Sequence, residues 1–174
     1  MIQVGEFEKV SFDQFRDAIV NDDSLNFFEF GEDQIKEMYD NIQIPERATA
    51  GSAGHDFKIP FTVSIGPSCT VKIPTGIRVS IDEGWWLGIL PRSSLGFKYR
   101  LQLDNTCGVI DSDYYYSDNE GHIFIKITND SYQGKIVHLK AGDSFAQGIF
   151  VPYGVTYSDN TTAVRNGGMG STGA

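Results

Sequence analysis

The chain is predicted to be all-β, a sandwich or barrel-like jelly roll with a short helical extension at its start. Apolar and polar residues alternate over several short stretches, as in Ile77, Val79 and Ile81 around Arg78 and Ser80, and in Ile123, Ile125 and Ile127 around Phe124, Lys126 and Thr128. A period of two turns one strand face to the core and the other to water. Further apolar runs at 61–65, 71–73, 85–90, 136–139 and 145–153 are separated by clusters of Gly, Pro, Asp and Asn, the turn chemistry of many-stranded β proteins. A length of 174 residues suffices for one well-buried core and is short for two.

The opening residues depart from that period. Ser11 followed by Gln14 predicts a capping-box helix start, and Phe12, Phe15 and Ile19 then share one helical face. A second helix is predicted from Gly31, with Ile35, Met38, Tyr39 and Ile42 at helical spacing and Pro45 as its stop. The acidic segment 21–29 links the two. The organisation read from the sequence is a helical extension over 1–46, a β domain over 47–160 and a glycine-rich C-terminal arm over 161–174.

Composition excludes several function classes. Even the apolar run 145–153 is strand-sized and is interrupted by Gln147 and Gly148, so no membrane span is expected. The opening MIQVGEFEKV lacks a basic start followed by an apolar stretch, which predicts a cytoplasmic protein. Cys69 and Cys107 lie far apart with no CxxC spacing, which argues against zinc and against a disulfide scaffold; both read as buried small hydrophobes. A formal charge of -9 disfavours nucleic acid and anionic membranes as partners. An anionic ligand would have to be held locally, by a bound cation, a few arginines and backbone N–H groups.

Five short segments could carry chemistry. Gly108-Val109-Ile110-Asp111-Ser112-Asp113-Tyr114 places two acids and a phenol after a short apolar strand; on extended backbone Asp111 and Asp113 would face the same side and could share a water, although an Asp-rich hairpin corner fits the same residues. Pro91-Arg92-Ser93-Ser94-Leu95-Gly96 ends a strand in a turn whose N–H groups, hydroxyls and guanidinium suit a phosphate, or equally a hydroxyl-capped helix with a surface arginine. In Ser52-Ala53-Gly54-His55-Asp56, Asp56 could hold a magnesium-bound water or be a turn acid. Gly142-Asp143-Ser144-Phe145-Ala146-Gln147 reads as hairpin chemistry. The tail from Arg165 to Gly173 could close over a nucleotide, its glycines allowing close approach to phosphate, or be a plain glycine-rich terminus.

Taken in order, these segments resemble the five motifs of the trimeric dUTPase (dUTP diphosphatase) family, which has phage and Gram-positive bacterial members. The pattern Ala-Gly-x-Asp matches Ala53, Gly54 and Asp56, and Pro-Arg-Ser-x-Leu matches Pro91, Arg92, Ser93 and Leu95. Gly-x-Ile-Asp-x-Asp-Tyr matches 108–114, Gly-Asp-x-x-Ala-Gln matches 142–147, and Gly-x-Gly-Ser-Thr-Gly matches 168–173. The resemblance implies a jelly-roll-like dUTPase fold and a homotrimer that hydrolyses dUTP to dUMP and pyrophosphate, with Mg²⁺ assisting in-line attack of water on the α-phosphate. It implies that Asp111 orients and deprotonates that water, and that Tyr114 lies under the deoxyribose and leaves no room for a 2′-hydroxyl. Asn105 and the backbone of Gly108, Val109 and Ile110 would read uracil. Arg92, Ser93, Ser94 and Gln147 would hold phosphates, and Asp56 would touch the metal through water. Arg165, with Met169, Gly170, Ser171 and Thr172, would close over the site from a neighbouring subunit.

Departures from the family pattern are also legible. Six residues, 115–120, separate Tyr114 from Gly121 where the family usually has one, which predicts a longer and more acidic substrate hairpin. Met169 stands where a phenylalanine usually stacks on uracil, the tail is one residue shorter between Arg165 and Met169, and Ser144 takes a position that is arginine in many members. Two other readings share the fold. A dCTP deaminase would need a glutamate near Lys126, and a dUTP-dependent regulatory binding protein would use the extra N-terminal and hairpin surface for a protein partner that the sequence does not name.

Overall fold

The predicted strand periods are realised in short antiparallel ladders that enclose one core. The computed structural model describes residues 2–25, 28–165 and 167. In chain order its elements are β1 (Gly5–Lys9), α1 (Phe12–Val20), α2 (Glu32–Asp40), β2 (Glu46–Arg47), β3 (His55–Lys58), β4 (Val63–Ile65), β5 (Thr70–Pro74), β6 (Ile77–Ile81), β7 (Trp85–Pro91), α3 (Ser93–Tyr99), β8 (Leu101–Leu103), β9 (Gly108–Ile110), a 3₁₀ turn (Ser112–Tyr116), β10 (Phe124–Asn129), β11 (Val137–Leu139) and β12 (Ser144–Pro152). The largest sheet has the order β2-β3-β12-β7-β9; a second runs β5-β10-β8, and β11 pairs with β4 and β1 with β6.

Each strand buries alternate residues. Val63 and Ile65 of β4, Val137 and Leu139 of β11, and Ile125 and Ile127 of β10 point inward while Ser64, His138 and Lys126 face out. Burying each such side chain contributes on the order of 1.5–3 kcal/mol. Asn129 is the polar exception, fully buried and satisfied: its amide donates to Ile65 O and Lys135 O at 2.8 Å, and its oxygen accepts from Ser131 N at 3.1 Å. That amide ties three chain segments together where a hydrophobe would leave backbone groups unpaired.

The N-terminal segment holds more than the two expected helices. Residues Gly5 to Lys9 form a strand paired antiparallel with β6, in the register Gly5↔Ile81 to Lys9↔Ile77. Its sequence, GEFEK, has a single apolar side chain and no readable period, so the edge offered by β6 specifies it. Gly5 is required by close approach, because a Cβ there would lie 2.5 Å from Ser80 O. Phe15, Ile19, Leu25 and Ile35 are buried in the same core as Phe57, Ile73 and Phe145. Ser11 caps α1 by accepting from Gln14 N at 3.2 Å, but Glu120, far along the chain, receives the Ser11 N–H at 2.8 Å.

The cysteines differ from expectation. Cys69 is exposed and Cys107 half-buried, both as free thiols, because each sits in a turn rather than on an inward strand position. Among the described residues no helix is long and apolar enough to cross a membrane.

Phe15→Ala tests whether the N-terminal segment belongs to the core. Phe15 is fully buried, with its ring 5.9 Å from Tyr39 and 6.4 Å from His122, so truncation is expected to cost about 3–5 kcal/mol. The measurement is denaturant unfolding: one cooperative transition should move to lower denaturant, and an unmoved main transition would show that 1–46 folds apart from the β domain.

Candidate active site

The acid-rich segment is built on the edge of the largest sheet. β9 pairs with β7 in the register Leu87↔Ile110 and Ile89↔Gly108, and Gly108 is small because a Cβ there would come within 3.0 Å of Ile89 Cβ. Past Ile110 the backbone stays extended for Asp111 (φ -79°, ψ 157°) and then turns into the 3₁₀ segment, with Tyr114 N donating to Asp111 O at 3.2 Å. The two acids therefore do not share one face of an extended strand; the turn alternative is the one realised. They converge through the turn, and Arg165 bridges them: its Nη2 donates to Asp111 Oδ2 at 2.6 Å and its Nε lies 3.0 Å from Asp113 Oδ1, an ion-pair contact without the alignment of a hydrogen bond.

Asp111 stands at a cavity of about 450 Å³ lined also by Asn105, Gly108, Val109, Ile110, Tyr114, Phe124, Lys126 and Arg165. Tyr114 is its rigid wall, with only 1% of its surface exposed. Its hydroxyl donates to His122 O at 2.7 Å and accepts from Asn119 Nδ2 at 2.8 Å. The Arg165 guanidinium sits 5.6 Å from the Tyr114 ring centre, within reach of a cation–π attraction. Val109 is exposed, so its contribution to the lining is backbone as much as side chain. Lys126 is paired with Asp104 at 2.8 Å. Phe124 and Cys107 also line the pocket from outside the motif segments; strand period alone puts Phe124 on the same side as Lys126.

A second cleft, of about 480 Å³, lies at the far end of β7 and is lined by Lys58, Arg92, Ser94, Lys98, His138 and Ser144. Arg92, the residue capping α3, ion-pairs with Asp56 at 2.9 Å, and Ser144 donates to the same Asp56 oxygen at 3.4 Å. Lys58 Nζ donates to Ser144 Oγ at 2.7 Å. A lysine thus reaches the position where the sequence comparison within the family leads one to look for an arginine. Lys58, Lys98 and His138 were missed because they lie outside the motif segments. Gln147 stands behind this cleft, donating to Pro91 O at 3.1 Å, and a Cβ on Gly54 would collide with its Oε1 at 2.4 Å. Ser93 is exposed in the first turn of α3. Met169, Gly170, Ser171 and Thr172 lie outside the described residues.

The two cavities share no lining residue. Asp111 follows Ile110, which pairs with Leu87, so it lies beside Trp86, and Arg92 is six residues further along β7. At about 3.3 Å per residue that is roughly 20 Å. Within one chain Asp111 and the Arg92 cleft therefore lie at opposite ends of β7. Arg165, expected from a neighbouring subunit, here contacts Asp111 of its own chain.

Asp56 gives the cationic cleft a single carboxylate, and the described residues contain no group of three or more His, Cys, Asp or Glu that could cage a metal. That donor set suits Mg²⁺, which keeps most of its waters and takes few protein ligands when phosphates supply the rest. The bonds from Arg92 and Ser144 both fall on Asp56 Oδ2, so Oδ1 can take a metal-held water.

An all-β chain with an acid at the mouth of an aromatic-walled pocket and a separate cationic cleft belongs to the class of nucleotide-binding jelly-roll proteins. The dUTPase family model matches residues 40–173. The chain is 41% identical over 136 residues to the deoxyuridine 5′-triphosphate nucleotidohydrolase of Lactococcus lactis, covering 76% of this chain and 89% of that protein. It is 36% identical over 144 residues to the protein of the same name from Dinoroseobacter shibae, covering 76% and 88%. Among solved structures it resembles the dUTPase from Streptococcus mutans (TM-score 0.62, 30% identity, 87% of this chain and 98% of that one) and the dUTPase from phage phi11 of S. aureus (TM-score 0.57, 26% identity, 71% and 91%). The chain belongs to the dUTPase family.

His122, which supports Tyr114 from behind, predicts a pH dependence. It is fully buried, and its Nε2 accepts from Gly76 N at 2.8 Å. Burial, reinforced by Lys72, pushes its pKa down to about 3. The unfolded chain binds a proton near pH 6.5 that the folded chain refuses, so this histidine's cost is absent above pH 6.5 and grows as pH falls toward 3; between pH 7.5 and 5 it amounts to about 2 kcal/mol. Denaturant midpoints at the two pH values should fall by less in His122→Gln than in the parent chain. An equal fall in both would show that His122 is not the source.

Proposed function

We propose that this chain hydrolyses dUTP to dUMP and pyrophosphate, and that Asp111 is its general base. The observation that carries this is the position of Asp111, at the rim of a nucleoside-sized pocket walled by buried Tyr114. Asn105 offers both a donor and an acceptor at that pocket, which suits the O4 and N3–H of uracil. The packed, doubly hydrogen-bonded Tyr114 ring cannot retreat, which suits exclusion of a 2′-hydroxyl.

Asp111 takes a proton from water as the water oxygen attacks the α-phosphorus; the bond from that phosphorus to the α,β-bridging oxygen breaks, and pyrophosphate leaves. Because Asp111 Oδ2 holds Arg165, that ion pair shifts when the water approaches, leaving the guanidinium free to meet phosphate charge. Arg92, Ser93, Ser94 and Gln147 hold or position the phosphates, joined by Lys58. Asp56 would hold Mg²⁺ through a water, and the ion would supply neutralisation of the charge on the leaving pyrophosphate. Such chemistry asks mainly for positioning and charge neutralisation. The roughly 20 Å between half-sites supports a homotrimer in which one subunit's Asp111 pocket meets another's Arg92 cleft, with the arm carrying Met169, Gly170, Ser171 and Thr172 closing over the nucleotide. Lys126, paired with Asp104, stands where a deaminase would need a glutamate, which supports dUTP hydrolysis over deamination. A cytoplasmic location is part of this reading, supported by the nucleotide substrate.

Asp111→Asn is expected to lower pyrophosphate release from dUTP by about 10²–10⁴-fold while leaving nucleotide binding, followed by calorimetry with a non-hydrolysable analogue. Turnover within a few-fold of the parent chain would remove Asp111 from the role of base.

A further inference from the structure

The six-residue insertion after Tyr114 does not extend the hairpin outward, as its length and acidity lead one to expect. It folds back onto the N-terminal segment. Glu120 accepts from both Ser11 N (2.8 Å) and Ser11 Oγ (2.6 Å), so an insertion residue caps the first helix. Tyr115 donates its hydroxyl to Glu8 Oε2 at 2.8 Å. The Arg78 guanidinium lies 3.6 Å from the centre of the Tyr115 ring, and its Nη2 donates to Tyr115 O at 3.0 Å. Glu8 and Arg78 are direct cross-strand partners in the β1–β6 ladder, so the tyrosine is held from both strands at once.

We propose that Glu120, Tyr115 and Arg78 are positioning residues that clamp the Ser112–Tyr116 turn to β1, β6 and α1 and thereby set Asp111 and Tyr114 for the reaction. The proposal rests on the dUTP-hydrolysing reading of that site.

The turn needs such a clamp. Asp111 precedes it and Tyr114 lies within it, and the chain then reverses through two residues with positive φ, Glu120 (57°) and Gly121 (69°). A Cβ on Gly121 would come within 2.8 Å of Tyr115 Cα and 2.9 Å of Tyr114 O, so the reversal is packed against the backbone that carries both site residues. Asn119, inside the insertion, donates to the Tyr114 hydroxyl; the insertion thus touches the pocket wall through Asn119 and the first helix through Glu120. Glu120 is suited to the task as an anion. Burial alone would push its pKa up, but the Ser11 hydrogen bonds and Arg78 outweigh it and hold the pKa below the ordinary value. A loop this short, anchored by charge-assisted bonds at both ends, has few alternative conformations to visit.

The decisive readout is selectivity, because a loosened Tyr114 should admit a ribose where a merely structural loss would lower stability alone. Glu120→Ala, with its fold checked by circular dichroism, is expected to lose about tenfold in kcat on dUTP and about tenfold in the preference for dUTP over UTP, since small misplacements of positioned groups are costly. Glu120→Gln, which can still accept one of the two Ser11 bonds, should fall between. If Glu120→Ala does not fold, Tyr115→Phe, which loses only the bond to Glu8, gives the same readout at smaller amplitude. A kcat and a dUTP-to-UTP ratio within about twofold of the parent chain, whatever the melting temperature, would overturn the clamp. Amide hydrogen exchange over 112–117 decides independently of turnover: it should quicken in Glu120→Ala, and unchanged protection would also overturn the proposal. A parent chain that releases no pyrophosphate from dUTP would instead sink the reaction reading, with the exchange data still deciding the clamp.

Discussion

The structure depends above all on β7 being paired on both sides. Its register with β12 runs from Pro91↔Ala146 to Trp85↔Pro152, and that with β9 from Ile89↔Gly108 to Leu87↔Ile110. One strand therefore fixes the two candidate half-sites, the Arg92 turn at its C-terminal end and the Asp111 turn beside its N-terminal end. Leu87 and Ile89 are fully buried between them, so neither end can slide without exposing the core, and a slip of one residue would turn the strand inside out. The roughly 20 Å between the ends is thus a rigid property of the sheet.

Much of this was legible in the sequence, and for physical reasons. Strands such as β6 and β10 announce themselves because one face must be apolar, and the Pro91-Arg92-Ser93-Ser94 turn announces a helix start because a strand ends there and hydroxyls follow. The strand β1 was not legible: GEFEK earns its conformation from β6 and from the glycine that lets Ser80 approach, neither of which is a local signal. The destination of residues 115–120 was hidden for the same reason, since Glu120 finds Ser11 across 109 positions of sequence. In the site, motif residues were readable because their spacing is short, whereas Lys58, Lys98 and His138 enter the cationic cleft from separate strands and a helix.

The charge distribution explains how an acidic chain can serve an anionic substrate. A net charge of -9 repels a polyanion at long range, but Lys58, Arg92 and Lys98 line one cleft, and Arg165 stands against Asp111 and Asp113 in the other. At contact distances such local cations outweigh a field that salt screens within roughly 10 Å. The N-terminal segment has a corresponding role. It buries Phe15, Ile19 and Ile35 in the core and, through Ser11 and Glu8, contacts the segment that follows Asp111, so what reads as an appendage packs with the β domain.

In the proposed homotrimer the two half-sites work together only between subunits. Co-expressing chains carrying Asp111→Asn with chains carrying Arg92→Ala, each inactive alone, tests it most directly. Random assembly into a cyclic trimer should place an intact Asp111 pocket against an intact Arg92 cleft in about a quarter of the sites and restore a matching share of dUTP hydrolysis. Mixed assemblies with no more activity than either parent variant would contradict the account and place both half-sites of each active centre on one chain.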